Sequence, residues 1–200
     1  MNKSPRDQEK SAFTLIELLV VIAIIGILMS LLFPAVGAAI DAAKKAQAKN
    51  DVTQLATAIT AYYTEYGKLP PDQDTVGYSP SSDKTFDAAS NGIVGILMGT
   101  LTNNNPRQIV FLEVSDVSTK KGKSGLKGGN FIDPWGNIYQ IILDYDYNNS
   151  LDITPGADTS AGGTGAKETV RKTVGVFNIS SSSTKSTDSN SYRHVVKSWN

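Results

Sequence analysis

Hydrophobic residues fill one continuous stretch near the start of the chain and recur periodically after it. The run from Leu18 to Ile40, 23 residues, contains no ionisable side chain. At about 1.5 Å of rise per residue, a helix of this length covers roughly 34 Å, enough to cross a hydrocarbon core of about 30 Å. The pattern therefore predicts a membrane-spanning helix, with the acid Glu17 directly before it.

The charges before this run predict its orientation. The first twelve residues are polar and include the cations Lys3, Arg6 and Lys10. Under the positive-inside rule, cations before a span keep the N-terminus in the cytoplasm and send the rest of the chain across the membrane. The simplest interpretation is a signal anchor that tethers the chain to the membrane.

Two other interpretations involve proteolysis. Small residues at 35–38 fit a conventional signal-peptide cleavage site, but this interpretation, like the anchor, leaves Glu17 unexplained. A cut between Ala12 and Phe13 would instead give Phe13 an α-amino group four residues before Glu17. Paired between neighbouring chains, this amine and the Glu17 carboxylate would fix the axial register of apolar helices, a role that polar residues play in coiled-coil cores. Glu17 would then serve assembly.

The residues around this cut resemble the processing signal of the type IV pilin superfamily, which includes the pseudopilins of type II secretion systems. The matching run is AFTLIELLVV, residues 12–21. The resemblance implies that a prepilin peptidase cuts before Phe13 and N-methylates it, and that Glu17 is the signature acid of the family. Pro34 matches a proline that many members carry. The family usually has Gly before the cut, where this chain has Ala12.

Past Pro34 the apolar positions follow a helical period. Spacings of three and four residues place five side chains on one face: Val52, Leu55, Ile59, Tyr62 and Tyr66. Gly67 and the prolines after it predict the end of the helix. The pattern predicts a helix from about Phe13 to Tyr66, with a kink or local melting at Pro34.

The remaining residues predict a small globular unit. Its expected elements are a short helix in Ser90–Leu101, a strand or extended segment at Gln108–Val114, a type I turn at Asp133–Gly136, and strands at Tyr139–Asp146 and Val170–Ile179. The turn-rich residues 67–84 and the polar tail 180–191 predict loops. The fold class is α+β, with a long N-terminal helix, one half membrane-spanning and one half amphipathic, packed on a small antiparallel sheet.

The predicted organisation has four parts: a leader at 1–12, a transmembrane and assembly helix at 13–40, its amphipathic continuation at 41–67, and a globular domain at 68–200. The globular part also resembles the pseudopilins, specifically those related to the major type II secretion pseudopilin. The matching stretches are YGKLP at 66–70, NPR at 105–107, FLE at 111–113, DPWGNIYQ at 133–140 and KSW at 197–199.

Composition excludes several kinds of chemistry. The chain has no cysteine and one histidine, His194, so a disulfide framework, a cysteine zinc site and a thiol nucleophile are excluded. Lys+Arg and Asp+Glu both total 19, a balance that gives no sign of nucleic-acid binding. The lysines at 120, 121, 123 and 127 alternate with Gly and Ser and predict a solvated loop. We predict no enzymatic activity.

Alternating oxygen-bearing side chains follow the predicted strand at Tyr139. They are Asp144, Asp146, Asn148, Ser150 and Asp152, with Asp158 as a further candidate. Calcium prefers six to eight oxygen ligands, and the resemblance implies one calcium in the C-terminal loops, so calcium is the one cofactor considered. The glycine of an EF-hand loop and the usual family spacing are missing. On the residues alone, a strand with one polar edge running into an Asn-Asn-Ser turn is favoured.

The resemblance implies a structural subunit of a type II secretion pseudopilus. The precursor would be a single-pass inner-membrane protein with its C-terminal domain in the periplasm. Its expected partners are further copies in a homo-oligomeric filament, other pseudopilins, the prepilin peptidase, the inner-membrane secretion platform, and membrane lipid before assembly; no nucleic acid is expected. The alternatives are a major or minor pilin of a type IV pilus, for adhesion, motility or DNA uptake, and a membrane-tethered binding domain.

Overall fold

The computed structural model describes residues 14–71, 82–89, 91–120, 122–153, 168–178 and 196–199. Within them lie two helices and seven strands: α1 (Leu15–Tyr66), β1 (Lys84–Asp87), α2 (Ile93–Leu97), β2 (Gly125–Lys127), β3 (Asn130–Ile132), β4 (Tyr139–Leu143), β5 (Leu151–Ile153), β6 (Glu168–Val170) and β7 (Val174–Asn178). The chain divides into two compact units, Met1–Ala42 and Ala43–Asn200. The predicted tail loop at 180–191 lies outside the described residues.

The first unit contributes the apolar part of α1. This helix is long and apolar enough to cross a membrane by length and composition. Helical backbone continues through Pro34, so the segment is not locally melted there. A proline removes one backbone hydrogen bond, while apolar surroundings favour satisfying all the others within the helix. The predicted C-terminal end of α1 at Tyr66 is confirmed.

In the second unit α1 buries the predicted apolar face. Val52, Leu55, Ile59 and Tyr62 are each 0% exposed, and Tyr66 packs against the same core. The helix stops where Gly67 takes a φ of +66° and donates its N–H to the carbonyl of Tyr63 at 2.8 Å. Glycine adopts this left-handed backbone without the Cβ clash that other residues meet.

A three-stranded antiparallel sheet packs on this face, in the order β1-β4-β7. The central strand β4 is buried along its whole length, which agrees with its prediction as the strongest strand in the sequence. Ile141 pairs with Phe86 on one side and Val176 on the other. The strand β1 was not predicted, because only Phe86 of its four residues is buried and the turn-rich residues before it indicate a loop.

Two short antiparallel pairs, β2-β3 and β5-β6, complete the sheets and were not predicted either. The helix expected in Ser90–Leu101 is confirmed as the five buried residues of α2. Residues 108–114 form an extended packing segment, whose Phe111 and Leu112 donate N–H groups to the Leu97 carbonyl at 2.8 and 3.1 Å. The predicted turn closes with the Gly136 N–H on the Asp133 carbonyl at 3.0 Å.

One buried hydrogen bond ties α1 to the sheet. The hydroxyl of Tyr139, on β4, donates to the carboxylate of Asp51, on α1, at 2.8 Å, and both residues are buried. Burial raises the pKa of Asp51, while hydrogen bonds from Ser124 and Tyr139 oppose that rise. A buried carboxylate without donors would cost several kcal/mol, so these donors keep Asp51 compatible with the core.

A second buried polar residue, Asn105, organises the segment after α2. It is 0% exposed, and its side-chain amide donates to the carbonyls of Ile96 and Ile109, both at 2.8 Å. Its oxygen accepts from the Tyr66 hydroxyl at 2.6 Å and from the Ile109 N–H at 3.1 Å. One side chain therefore connects the end of α1, the helix α2 and the extended segment after it.

We expect Asn105→Ala to lower the free energy of unfolding by about 2–4 kcal/mol, because it strands several buried donors and acceptors at about 0.5–1.5 kcal/mol each. Tyr66→Phe, which removes a single bond to Asn105, should cost only about 1 kcal/mol. Urea unfolding of the detergent-solubilised protein measures both. Equal effects of the two variants would contradict the connecting role of Asn105.

Candidate functional site

The N-terminal end of α1 forms a reciprocal cap around Glu17. The N–H and the hydroxyl of Thr14 donate to Oε2 of Glu17 at 2.9 and 2.7 Å. In return, the Glu17 N–H donates to Oγ1 of Thr14 at 3.3 Å. Thr14 thus stands at the N-cap and Glu17 at the third helical position, the arrangement of a capping box. The spacing Thr-x-x-Glu was a readable signal of this cap that the sequence interpretation missed.

The predicted processing residues, Ala12 and Phe13, lie outside the described residues. The described chain begins at Thr14, and α1 begins at Leu15. Glu17 therefore has a defined partner within its own chain, while its predicted pairing with the Phe13 amine stays a prediction. The third predicted assembly residue, Pro34, lies within the helical part of the same segment.

The helix after this cap exposes an unbroken apolar surface. Sixteen large apolar side chains between Leu15 and Ile40 are from 45% to 87% exposed. Burial of one such side chain is worth about 1.5–3 kcal/mol, so the whole surface represents on the order of 25–50 kcal/mol. That exceeds the net stability of a typical domain, about 5–15 kcal/mol. Lipid or other apolar helices must therefore cover this surface.

A separate cluster of three carboxylates lies in the second unit. Asp83, Asp144 and Asp146 each offer an oxygen within 4.8 Å of the others. Asp83 directly precedes β1, and the other two follow β4, which pairs with β1. Because β1 and β4 are antiparallel, the start of one and the end of the other meet at the same edge of the sheet. This pairing brings together residues that are 61 positions apart.

Backbone donors hold the two later carboxylates in a tight loop. Asp144 is buried and accepts N–H groups from Asn148 at 3.1 Å and Asn149 at 2.7 Å. Asp146 accepts the N–H of Asn148 at 3.2 Å and its side-chain amide at 2.8 Å. Positive φ angles at Tyr147 (58°) and Asn149 (59°) allow the loop to fold back on Asp144.

Asp83 differs from its neighbours because one of its oxygens has no donor. Among the described residues, its Oδ1 is buried without a hydrogen-bond partner. Desolvation and the charges of Asp146, Asp144 and Asp152 raise the pKa of Asp83 to about 6. Desolvation, followed by a hydrogen bond shared with Asp146, also raises the pKa of Asp144. The cluster therefore concentrates negative charge that a cation would neutralise.

Two other residues predicted for this site lie around the cluster. The side-chain Oδ1 of Asn148 accepts the Ser150 N–H at 2.7 Å, and its side-chain amide donates to Asp146. Asp152 is exposed on β5 and accepts the Thr169 hydroxyl at 2.8 Å. Asp158 lies outside the described residues. Asp83 was missed, because its local sequence is turn-rich and only the pairing of β1 with β4 brings it to the cluster.

The N-terminal segment matches a known protein family. Residues 8–33 match the family model described as the prokaryotic N-terminal methylation motif. A fimbrial protein of Neisseria meningitidis serogroup A is 33% identical over 48% of this chain and 59% of its own length. No solved structure matches the chain.

Two relatives match over most of their length. The type II secretion system core protein G of Pseudomonas aeruginosa is 31% identical over 78% of this chain and 89% of its own. The protein of the same name from Vibrio cholerae is 29% identical over 79% of this chain and 88% of its own. Together with the capped apolar helix and the helix-on-sheet fold, these matches show that the chain belongs to the type II secretion system core protein G family, within the type IV pilin superfamily.

Proposed function

We propose that this chain is a structural subunit of a type II secretion pseudopilus. The precursor is inserted in the inner membrane, cut by a prepilin peptidase between Ala12 and Phe13, and assembled through α1 into a filament that supports protein export. The single observation that carries this proposal is the exposed apolar surface of α1 between Leu15 and Ile40. A surface of that size fits a subunit held first by lipid and then by the same helix of other copies.

The position of Glu17 supports assembly over simple anchoring. The capping box accounts for its hydrogen bonds within one chain, but a glutamine at this position would serve the cap equally well. The helix dipole also favours a negative charge at this position, but a carboxylate in an apolar interior needs a cation beside it. In an apolar filament interior the amine of a neighbouring Phe13 supplies one, and such a pair permits only one axial register.

The extent of similarity favours the pseudopilus over a type IV pilus. The similarity to the fimbrial protein covers about half of this chain, whereas the core protein G relatives match over more than three quarters of it. The pilin alternative rests on the shared N-terminal segment. The orientation that follows from the leader cations leaves the globular unit in the periplasm.

We infer further that the three-carboxylate cluster binds calcium. The residues fit the ion, because the buried Oδ1 of Asp83 lacks a donor and carboxylate oxygens are the ligands that calcium prefers. Asp83, Asp144 and Asp146 would hold it, which adds Asp83 to the set predicted from the sequence, Asp144, Asp146, Asn148 and Asp152. Desolvation first, and then the neighbouring carboxylates, raise the pKa of Asp83. Bound calcium would neutralise the repulsion among these carboxylates and would fasten the loop after β4 to the start of β1.

Glu17→Gln keeps the capping box and removes the charge, so it separates the two roles of this residue. We expect Glu17→Gln and Glu17→Val to insert in the membrane at least as well as the wild type but to abolish most filament formation. Thr14→Ala is the matched control: it removes the cap, costs about 0.5–2 kcal/mol of helix stability, and should still form filaments. Filament yield and membrane content are measured by electron microscopy and fractionation. Normal filaments from Glu17→Gln would contradict the register role.

Calcium should raise the melting temperature of the protein by several degrees, because it binds only the folded arrangement of the three carboxylates. Asp83→Asn and Asp146→Ala should each abolish this rise. Asp152→Asn is the control, since it removes an acid next to the cluster but outside it. The measurement is thermal unfolding with calcium or with chelator. Absence of any rise in the wild type would refute the site.

Without calcium, stability should fall as the pH rises through about 6, the raised pKa of Asp83. The folded state holds this proton more tightly than the unfolded state does, so the stabilisation is complete below the ordinary value of 3.8 and lost above about 6. Denaturant unfolding in chelator at several pH values should show this slope, and Asp83→Asn should reduce it. An identical slope in the variant would exclude Asp83 as its source.

A further inference from the structure

A basic surface lies where the second unit begins. It consists of Lys44 and Lys45 on α1 together with Lys120 and Lys123 on the turn before β2. This turn packs on the helix: a Cβ built on Gly122 would lie 4.0 Å from Cε of Lys44. The side-chain amide of Gln47 donates to the Ser124 hydroxyl at 2.7 Å. Lysines far apart in the sequence therefore share one end of the unit.

Two local features hold the turn in this place. The Lys120 N–H donates to the carbonyl of Val117 at 2.9 Å, and Gly122 has a φ of +69°, a left-handed conformation that favours glycine. Ser124 also hydrogen-bonds the buried Asp51, so the turn is fixed to the same face of α1 that carries the core. Lys120 and Lys123 therefore lie on a folded turn, whereas the sequence predicts only a solvated loop.

Lys44 and Lys45 follow the apolar run closely in the sequence. Lys44 follows the apolar residue Ile40 by four positions, about 6 Å at the rise of an α-helix. The potential of an anionic membrane surface decays over a Debye length, about 8 Å at physiological ionic strength. Along the helix, Lys44 and Lys45 therefore lie within about one Debye length of the end of the apolar run.

The charges of this surface are available to a partner. Lys45, Lys120 and Lys123 are exposed, and Lys44 is half-buried along its stem. Within the described part of the chain, no carboxylate lies within salt-bridge distance of any of the four, and the charge of Lys120 acts on Asp116 from farther away. The nearest acids in sequence, Asp41 and Asp116, leave four positive charges against two negative ones.

Membrane orientation does not explain these lysines. The positive-inside rule places cations before this span, and the leader already supplies Lys3, Arg6 and Lys10. Cations placed after the span weaken that bias, since the rule counts residues within about 15–20 positions of either end. A long domain, however, translocates largely regardless of its charge, so Lys44 and Lys45 do not contribute to the orientation of the chain.

We propose that the basic surface binds anionic phospholipid headgroups of the leaflet that faces the globular unit. The inference rests on the membrane span of the proposed function and adds a lipid contact to it. Lysine amines meet headgroup phosphates as point charges, and each is worth about a fivefold gain in binding. The turn then docks on the bilayer surface and holds the unassembled subunit at a defined height.

The test uses the full chain in nanodiscs, one chain per disc, of phosphatidylcholine alone or of phosphatidylcholine mixed with phosphatidylglycerol. Lysine reactivity towards a water-soluble acetylating reagent is measured residue by residue by mass spectrometry. Lys120 and Lys123 should react several-fold more slowly in the anionic discs, and added salt should remove the difference. Lys68, just beyond the opposite end of α1, should react at the same rate in both.

A pair of matched variants tests the geometry. Lys44→Gln with Lys45→Gln should reduce the protection of the turn lysines, whereas Lys68→Gln with Lys172→Gln should leave it unchanged. Equal reactivity in the two lipids would overturn the proposal, as would protection that survives loss of Lys44 and Lys45. Protection found only in discs with several chains would overturn it in favour of an acidic surface on a second copy. A chain that fails to enter the discs would overturn both the lipid contact and the membrane span.

Discussion

The apolar surface of α1 between Leu15 and Ile40 is the constraint on which the rest of this protein depends. Water cannot stably solvate that surface, since its burial represents on the order of 25–50 kcal/mol. The chain therefore needs lipid when it is a monomer and like helices when it is assembled. In both states the backbone N–H and C=O groups of α1 form their hydrogen bonds within the helix. Under the proposed function, the two states also differ in whether the Glu17 carboxylate meets a cation.

The same helix meets different requirements beyond Ala42. There it presents one apolar face to the sheet, and buried polar groups fix how the two fit together. Asp51 accepts the Tyr139 hydroxyl, and Asn105 satisfies four groups from three segments. These bonds add modest net stability, but loss of either partner leaves a buried group unsatisfied. They therefore select one register of the helix on the sheet over others with similar apolar contact.

The carboxylate cluster and the basic surface follow from that register. Pairing of β1 with β4 brings Asp83 to Asp144 and Asp146, and the turn that carries Lys120 and Lys123 packs on α1 through Gly122, next to Lys44. In each case charges of one sign converge because elements distant in the sequence end at the same place. The convergence is costly without a partner of opposite charge. Calcium and anionic headgroups are the partners that the chemistry of these two places favours.

The sequence by itself determined the features that depend on local periodicity and on specific residue types. It predicted the length of α1, its buried face through Tyr62, its end at Gly67 and the strand β4, because each follows from side-chain spacing or backbone preference. Strands with few buried residues, such as β1, give no such pattern. The tertiary structure alone decided that Asp83 joins Asp144 and Asp146, since strand pairing is non-local and no residue spacing encodes it.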